Sequence, residues 1–132
     1  MNVITVAAAV ILNSQQQLLL VRKQQTQMFM QVGGKLEAHE TPEQTMLREI
    51  QEEVGCEAEI LQFLGRFETA TANEPNHLLV SYVYEVQLKQ EPQIAAEIAE
   101  MKWSDLDDQT TPLAPLTRDI VIPWCQQQLQ VC

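Results

Sequence analysis

The spacing of apolar and polar residues predicts several β-strands around one strong helix. Residues 3–12 are rich in Val, Ile and Ala, which is typical of a buried strand. A turn signal at residues 13–15 leads into a second strand at residues 17–23, and the two strands together predict a β-hairpin. Residues 28–32 predict a short strand that ends at a pair of glycines.

The second half of the chain continues with strands and ends in a helix. Residues 57–68 and 77–88 predict two further strands, and we expect the second of them to be central in a sheet. A short strand is predicted at residues 101–103. The prolines within residues 111–115 mark the start of a closing helix, in which Pro123 should cause a kink or a break.

Local signals at both ends define the helix in the middle of the chain. Thr41 is suited to the N-cap, and Pro42 suits the first helical position, where a missing N–H costs nothing. Gln44 stands three residues after Thr41, which is the spacing of a capping box. Gly55 can end the helix in a left-handed conformation. The sequence therefore predicts a helix from Pro42 to Val54.

Three glutamates share one face of this helix. At about 100° per residue, Glu49, Glu52 and Glu53 fall within a sector of about 100°. The neighbouring sector is apolar and contains Met46, Leu47, Ile50 and Val54. Like charges at this spacing repel one another, so a plain interpretation is a solvated acidic face. A hard divalent cation such as Mg²⁺, which takes oxygen ligands, would offset the repulsion.

Length and composition narrow the class of protein. At 132 residues the chain can bury one core, and we expect a single domain spanning residues 1–132. It has no apolar run long enough to span a membrane, and its first residues lack the basic start of a signal peptide. Cys56, Cys125 and Cys132 are odd in number and far apart, which fits reduced thiols better than disulfides or a zinc site. These features predict a cytoplasmic protein.

The charge distribution argues against a large polyanionic partner. The net charge is −10, and the eight Lys and Arg residues are scattered singly along the chain. They form no basic stripe that could follow a nucleic-acid backbone. A small anionic ligand that carries its own Mg²⁺ remains compatible with the acidic surface.

The residues from Gly34 to Cys56 follow a specific spacing. Gly34 is followed after five residues by Glu40, and after seven more by Arg48, Glu49, Ile50, Gln51, Glu52, Glu53, Val54 and Gly55. This spacing resembles the Nudix box, the signature of Mg²⁺-dependent hydrolases of nucleoside diphosphates linked to another group. The stretch after Glu40 looks especially like the MutT branch of that family. The chain departs from the family at Val32, where a Pro usually precedes the paired glycines.

The resemblance implies both a fold and a metal centre. The fold is α+β, a Nudix-type α/β/α sandwich with a mixed β-sheet, one catalytic helix after the Gly-Gly loop and a C-terminal helix. The Gly33 carbonyl and the carboxylates of Glu49, Glu52 and Glu53 would hold Mg²⁺, for which Mn²⁺ could substitute. Arg48 would orient the carboxylates.

The resemblance also draws attention to the acids near residue 100. In Nudix relatives an acidic residue just before a Trp-containing strand often completes the metal site or acts as the base. Glu97 is the first candidate and Glu100 the second, although both are equally well interpreted as solvated loop acids. The general base is left open among Glu52, Glu53 and Glu97.

Four residues are candidates for contact with the substrate: Lys35, Arg22, Trp103 and Asp105. Lys35 and Arg22 could meet phosphate oxygens, although a solvated charge at the strand end is the simpler interpretation of Arg22. Trp103 could stack on a base or pack under the sheet edge. Asp105 follows Trp103 in a segment that lies near the base in MutT-like purine binders.

The activity implied by the resemblance is hydrolysis of a phosphoric anhydride in a small nucleotide. Residues 69–71 lack the Pro typical of ADP-ribose hydrolases, and residues 72–73 lack the Tyr favoured by dinucleoside polyphosphate hydrolases. This favours a MutT-like pyrophosphohydrolase that converts a (d)NTP to NMP and pyrophosphate. An ADP-ribose or nucleotide-sugar pyrophosphatase is the alternative, and a non-catalytic nucleotide-binding Nudix module is an alternative of another class. Many relatives are dimers, so a homodimer also stays open.

Overall fold

The computed structural model of the chain describes residues 2–72 and 74–129, which contain six strands and two helices. The elements in chain order are β1 (Asn2–Val10), β2 (Leu18–Lys23), β3 (Val32–Lys35), α1 (Pro42–Val54), β4 (Ala58–Ala70), β5 (His77–Leu88), β6 (Ile98–Ser104), and a π-helical segment (Thr117–Val121) that runs directly into α2 (Ile122–Leu129). We call the π-helical segment and α2 together the closing helix.

Two sheets are formed, and the larger one is mixed. Its strand order is β3-β1-β5-β4, with β1 and β5 parallel and the other neighbours antiparallel. The smaller sheet consists of β2 and β6, which pair antiparallel. The expectation that residues 77–88 form a central strand is confirmed, because β5 lies between β1 and β4.

The predicted hairpin of the first two strands is wrong. Both edges of β1 are already occupied, one by β3 and the other by β5, so β2 pairs with β6 instead. Between the first two strands there is only a turn and a single bridge from Leu12 to Leu18. The turn is held by the Asn13 side chain, which accepts hydrogen bonds from the backbone N–H groups of Gln15 and Gln17. The local turn signal is therefore real, but the turn joins two sheets.

The alternation of side chains along β1 creates two cores. Ala7 and Ala9 face α1 and pack in a cluster with Met46, Ile50 and Val54. Ala8 and Val10 face the opposite way and pack with Val121 and Cys125 of the closing helix and with Leu116 directly before it. Because successive residues of a strand point to opposite faces, one strand supplies both layers. This is the α/β/α sandwich that the resemblance implies.

The ends of α1 lie where the sequence predicts them. Thr41 accepts a hydrogen bond from the Gln44 N–H, and the Gln44 side chain accepts one from the Thr41 N–H, which completes the capping box. Gly55 has φ 70° and ψ 26°, and its N–H donates to the Gln51 carbonyl. The capping box and Gly55 therefore determine where this helix begins and where it ends.

The third strand begins later than the sequence predicts and includes the glycines. Within residues 28–32, Phe29 and Met30 make only isolated bridges, and the strand runs from Val32 to Lys35. A Cβ atom on Gly33 would lie 2.1 Å from the Ala7 carbonyl oxygen. The pairing of β3 with β1 at this point therefore depends on glycine.

The closing helix accommodates Pro123 without a break. The chain is helical from residue 115, and the Ile122 N–H donates to the Thr117 carbonyl across a π-turn directly before the proline. A π-helical turn and a proline are both places where the regular hydrogen-bond ladder of a helix is interrupted. Of the two outcomes expected at Pro123, the break is therefore wrong, and the helix changes to a π-helical segment directly before the proline.

Two other sequence-based expectations concern thiols and membranes. Cys56 and Cys125 are buried free thiols, and Cys132 lies outside the described residues. In the described part of the chain, no helix has both the length and the apolar character needed to cross a membrane.

The N-cap of α1 can be tested directly. Thr41→Ala removes the hydroxyl that accepts the Gln44 N–H, so we expect the free energy of unfolding to fall by about 1 kcal/mol. Urea denaturation followed by circular dichroism measures this change. Thr41→Ser keeps the hydroxyl and should unfold like the original chain; equal losses in both variants would contradict the capping role.

Candidate functional site

Glu53 is a carboxylate buried at the end of α1. Its exposed fraction is 1%. One oxygen, Oε1, accepts a hydrogen bond from the Gly33 N–H at 3.2 Å. The other oxygen, Oε2, has no hydrogen-bond partner among the described residues. Burial raises the pKa of Glu53 to about 8, against the attraction of Lys23. A buried acceptor without a donor is costly unless something binds it.

Glu49 lies one helical turn before Glu53 and meets the second glycine. A Cβ atom on Gly34 would lie 2.7 Å from Glu49 Oε1, so the carboxylate rests against the backbone there. Burial raises the pKa of Glu49, while the neighbouring Arg48 guanidinium acts in the opposite direction. Because Gly34 lacks a side chain, Glu49 can rest against the β3 backbone, and Glu53 reaches the same strand through the Gly33 N–H.

Arg48 connects the acids on the outer side of the helix. Its Nε donates to Glu40 Oε2 at 2.8 Å and its Nη2 donates to Glu40 Oε1 at 3.0 Å. Its Nη1 donates to Glu49 Oε1 at 3.0 Å and to Glu52 Oε2 at 3.3 Å. Such charge-assisted bonds hold the guanidinium in one orientation.

The same contacts explain the acidity of Glu40. The Arg48 hydrogen bonds, together with one from the Thr45 hydroxyl at 2.8 Å, lower the pKa of Glu40 to about 2. They also hold the pKa of Arg48 further above its usual range. Glu40 therefore stays ionised and anchors Arg48 from outside the helix.

Glu52 is placed differently from its two neighbours. Its side chain is 53% exposed and is in contact with Arg48. Within residues 2–72 and 74–129, no three His, Cys, Asp or Glu side chains converge as a ready set of metal ligands. The structure thus brings Glu49 and Glu53 to the glycines, and it leaves Glu52 at the rim. The acids repel one another, and Arg48 draws two of them toward itself.

A cavity of about 370 Å³ lies on the other side of the same glycines. Its floor is the sheet face below the closing helix and includes Ile4, Val6 and Leu79. Gly33, Gly34 and Lys35 line one side of the cavity, and residues 114–117 line another. Glu49 and Glu53 are not among its lining residues. The glycine pair therefore separates an apolar cavity from the carboxylates.

Lys23 and Glu97 link the cavity to the buried acid. Both line the cavity, and Lys23 Nζ lies 3.5 Å from Glu97 Oε1 and 4.0 Å from Glu53 Oε2. Glu100, the second candidate from the sequence, instead forms an ion pair with Arg22 at 2.7 Å on the outer surface of the β2–β6 sheet. Of the two acids near residue 100, only Glu97 is at the site.

Residues 1–125 of the chain match the protein family described as the NUDIX domain. The chain belongs to the Nudix family. The match includes α1, both glycines and the cavity, so the prediction of a Nudix hydrolase from the spacing of its box is confirmed. No curated protein sequence is similar enough to count as a match.

Solved structures of Nudix proteins share this fold. The ORF135 protein of E. coli is 26% identical, with a TM-score of 0.75, over 99% of this chain and 93% of its own. A UDP-X diphosphatase is 24% identical, with a TM-score of 0.80, over 98% of this chain and 65% of its own. A MutT NUDIX hydrolase from Burkholderia pseudomallei is 22% identical, with a TM-score of 0.77, over 98% of this chain and 99% of its own. The Nudix-type fold predicted from the sequence is thereby confirmed.

The four candidate substrate residues are scattered in this Nudix domain. Lys35 lines the cavity, whereas Arg22, Trp103 and Asp105 do not. Trp103 packs against the α1 side of the core and borders a separate, smaller cavity of about 220 Å³. Asp105 accepts a hydrogen bond from the Gln17 side chain at 3.0 Å, near the β1–β2 turn. The packing interpretation therefore suits Trp103 better than base stacking.

Sequence reasoning missed most of the cavity. Gln31 and Thr117 line it, and the Thr117 hydroxyl donates to Gln31 Oε1 at 2.9 Å in a buried contact. A polar Gln between Met30 and Val32 was a signal that could have been noticed, since buried amides need partners. The apolar floor had no such signal, because only the strand order brings those residues together.

The Arg48–Glu40 pair predicts a specific pH dependence of stability. The pKa of Glu40 is lowered from about 4.5 to about 2 on folding, so its stabilising effect is complete above about pH 4.5 and is lost as the pH falls toward 2. We expect Glu40→Gln to be less stable than the original chain near neutral pH, and the difference should shrink below about pH 4.5. Urea denaturation at several pH values measures it. Glu59→Gln on the exposed strand β4 is the control, and a difference that does not change with pH would contradict the pairing.

Proposed function

We propose that this Nudix protein hydrolyses a nucleoside diphosphate linked to another group, with the help of Mg²⁺ or Mn²⁺. The observation that carries the proposal is Glu53, whose buried Oε2 lacks a hydrogen-bond partner among the described residues while Oε1 is fixed by Gly33. A cavity large enough to hold part of a nucleotide lies directly across the glycines. A substrate whose nucleoside part lies in the cavity could extend its phosphoric anhydride across the glycines to Glu53, and this arrangement suits cleavage of that anhydride.

A hard divalent cation fits the donor set beside the glycines. The available ligands are carboxylate oxygens of Glu49, Glu53 and Glu52, with Glu97 and the Gly33 backbone as further candidates; oxygen donors of this kind are what Mg²⁺ takes. Glu53 Oε2 is the strongest argument, because it is buried and unpartnered among the described residues. When bound, such a cation neutralises phosphate charge and lowers the pKa of the attacking water.

The residues of the chain take separate roles in this proposal. The Gly33 N–H holds the Glu53 carboxylate in one orientation, so Glu53 can hold or accept a proton without moving. Arg48, anchored by Glu40, positions Glu49 and Glu52. Lys35 would bind a phosphate oxygen, and its position in the cavity wall supports this role. The proton acceptor in this scheme is Glu53, Glu52 or Glu97.

For the substrate we favour a MutT-like reaction, in which a (d)NTP gives NMP and pyrophosphate. The support is the sequence after Glu40 and the similarity to a MutT NUDIX hydrolase. A nucleotide-sugar or ADP-ribose substrate is the second candidate, favoured by an equally similar fold in a UDP-X diphosphatase. A module that only binds nucleotide is the third; the complete set of box acids argues against it.

The wider biological setting is part of the same proposal. We propose that residues 1–132 act as one domain on a small nucleotide in the cytoplasm, without a nucleic-acid or membrane partner. The scattered basic residues and the apolar floor of the cavity support a small ligand. A homodimer is compatible with this activity, since the site described above is built from one chain.

The metal-centre assignment predicts a large loss of rate from small changes. Glu53→Gln and Glu52→Gln should each lower kcat by about a hundredfold or more, because each removes a charge that the reaction needs. In Glu53→Gln the Gly33 N–H can still donate to the side-chain amide oxygen, so circular dichroism should show an intact fold. EDTA should abolish turnover and Mg²⁺ restore it. Glu59→Gln is the control, and near-original rates in both site variants would remove the assignment.

The substrate assignment is tested by identifying products. A panel of (d)NTPs, ADP-ribose, UDP-sugars and dinucleoside polyphosphates is incubated with Mg²⁺, and the products are resolved by chromatography. We expect NMP and pyrophosphate from at least one (d)NTP, with the highest kcat/KM in the panel. Faster release of NMP from a nucleotide sugar would favour the second candidate. Thermal stabilisation by nucleotide without turnover would favour the binding module.

A further inference from the structure

Lys23 occupies an unusual position between two carboxylates from different parts of the chain. Its Nζ lies 4.0 Å from Glu53 Oε2 and 3.5 Å from Glu97 Oε1. Glu53 belongs to α1, whereas Glu97 lies in the loop before β6. Lys23 itself ends β2, so three separate segments meet at its ammonium group.

The backbone fixes this meeting point. The Gln24 N–H donates to the Glu97 carbonyl at 2.8 Å, which holds the loop beside the end of β2. The Ala95 N–H donates to the Glu53 carbonyl at 3.0 Å, which joins the same loop to the end of α1. The β2–β6 register also shifts between Arg22 and Lys23. A bulge of this kind redirects side chains, and here Arg22 meets Glu100 while Lys23 enters the cavity.

The three side chains differ in burial. The Glu53 side chain is 2% exposed, that of Lys23 is 30% exposed and that of Glu97 is 64% exposed. The ammonium is therefore the cationic group that faces the buried Glu53 Oε2, although 4.0 Å is too long for a hydrogen bond. An ionised carboxylate buried without a counter-charge is unstable, so the nearby ammonium lowers the cost of keeping Glu53 charged.

We propose that Lys23 is the shared cationic partner of Glu53 and Glu97 while no divalent cation is bound, and that it competes with that cation for them. The inference rests on the proposed function, since it concerns the same carboxylates. A divalent cation at Glu53 Oε2 and the Lys23 ammonium repel each other across a few ångströms. Lys23 therefore weakens cation binding in the free protein. Once displaced, its ammonium remains in the cavity, where a phosphate group can take it as a partner.

The competition predicts that removal of the lysine charge strengthens cation binding. In Lys23→Met, with no nucleotide present, Mn²⁺ should bind at least about tenfold tighter than in the original chain, because even the water-screened repulsion between an ammonium and a divalent cation a few ångströms away is worth that much in affinity. Electron paramagnetic resonance of free Mn²⁺ measures the affinity. Lys102→Met is the matched control, because Lys102 forms an ion pair of 3.5 Å with Asp108 away from the cavity. Its Mn²⁺ affinity should be unchanged.

Thermal unfolding gives a second readout. Saturating Mn²⁺ should raise the melting temperature of Lys23→Met by more than it raises that of the original chain, because the cation no longer has to displace the ammonium. If Lys23→Met does not fold, Lys23→Gln provides the same test with a polar side chain.

The outcomes separate this inference from the proposed function. Unchanged or weaker Mn²⁺ binding in folded Lys23 variants, or a rise in melting temperature with Mn²⁺ no larger than that of the original chain, would overturn the role of Lys23 alone, provided that the original chain binds Mn²⁺ and turns over substrate. An original chain that neither binds Mn²⁺ through Glu53 nor hydrolyses any nucleotide would overturn both.

Discussion

The hydrogen bond from the Gly33 N–H to Glu53 is the interaction on which the site depends. It joins the end of α1 to the edge strand β3 and fixes a buried carboxylate against that strand, while the missing side chain of Gly33 lets β3 lie close to β1. Gly34 makes room for Glu49, since a Cβ atom there would overlap the Glu49 carboxylate. Because β3 also forms one side of the cavity, the acids and the cavity share a backbone wall that is only one strand thick. A change in the backbone of β3 would therefore alter both the position of the acids and the shape of the cavity wall.

The mutual repulsion of the clustered acids would destabilise α1, and two cationic side chains, Arg48 and Lys23, offset this repulsion. Arg48 takes the outer acids, Glu40, Glu49 and Glu52, with hydrogen bonds of good length. Lys23 lies at longer distances from Glu53, the buried acid of α1, and from Glu97 in the loop before β6. The difference is physical: a guanidinium with several donors is a firm structural partner, whereas an ammonium on a flexible stem is easily exchanged. A site that must open to a ligand benefits from having the second kind of partner on its inner side.

The parts of the structure that the sequence predicts well are those set by local chemistry. Helix α1 is correct at both ends because Thr41, Gln44 and Gly55 act within one turn of their own positions. The hairpin is wrong because pairing depends on which strands compete for the edges of β1, and no local signal contains that information. The same reason explains the cavity, whose floor is assembled from β1 and β5 by their parallel pairing. The Nudix spacing supplied the acids of the site, but not the lysine that faces them.

The π-turn at Thr117–Val121 has a consequence for how the closing helix can vary in length. In a regular helix, losing one residue rotates everything beyond it by about 100° and would carry Cys125 out of its core position. A π-turn already holds one residue more than an α-turn, so a single deletion inside it leaves the two flanking halves in their original orientation. Insertions and deletions among related chains should therefore occur preferentially at this turn. A chain shortened there would place Pro123 inside a regular α-helix, where its ring clashes with the carbonyl four residues before it.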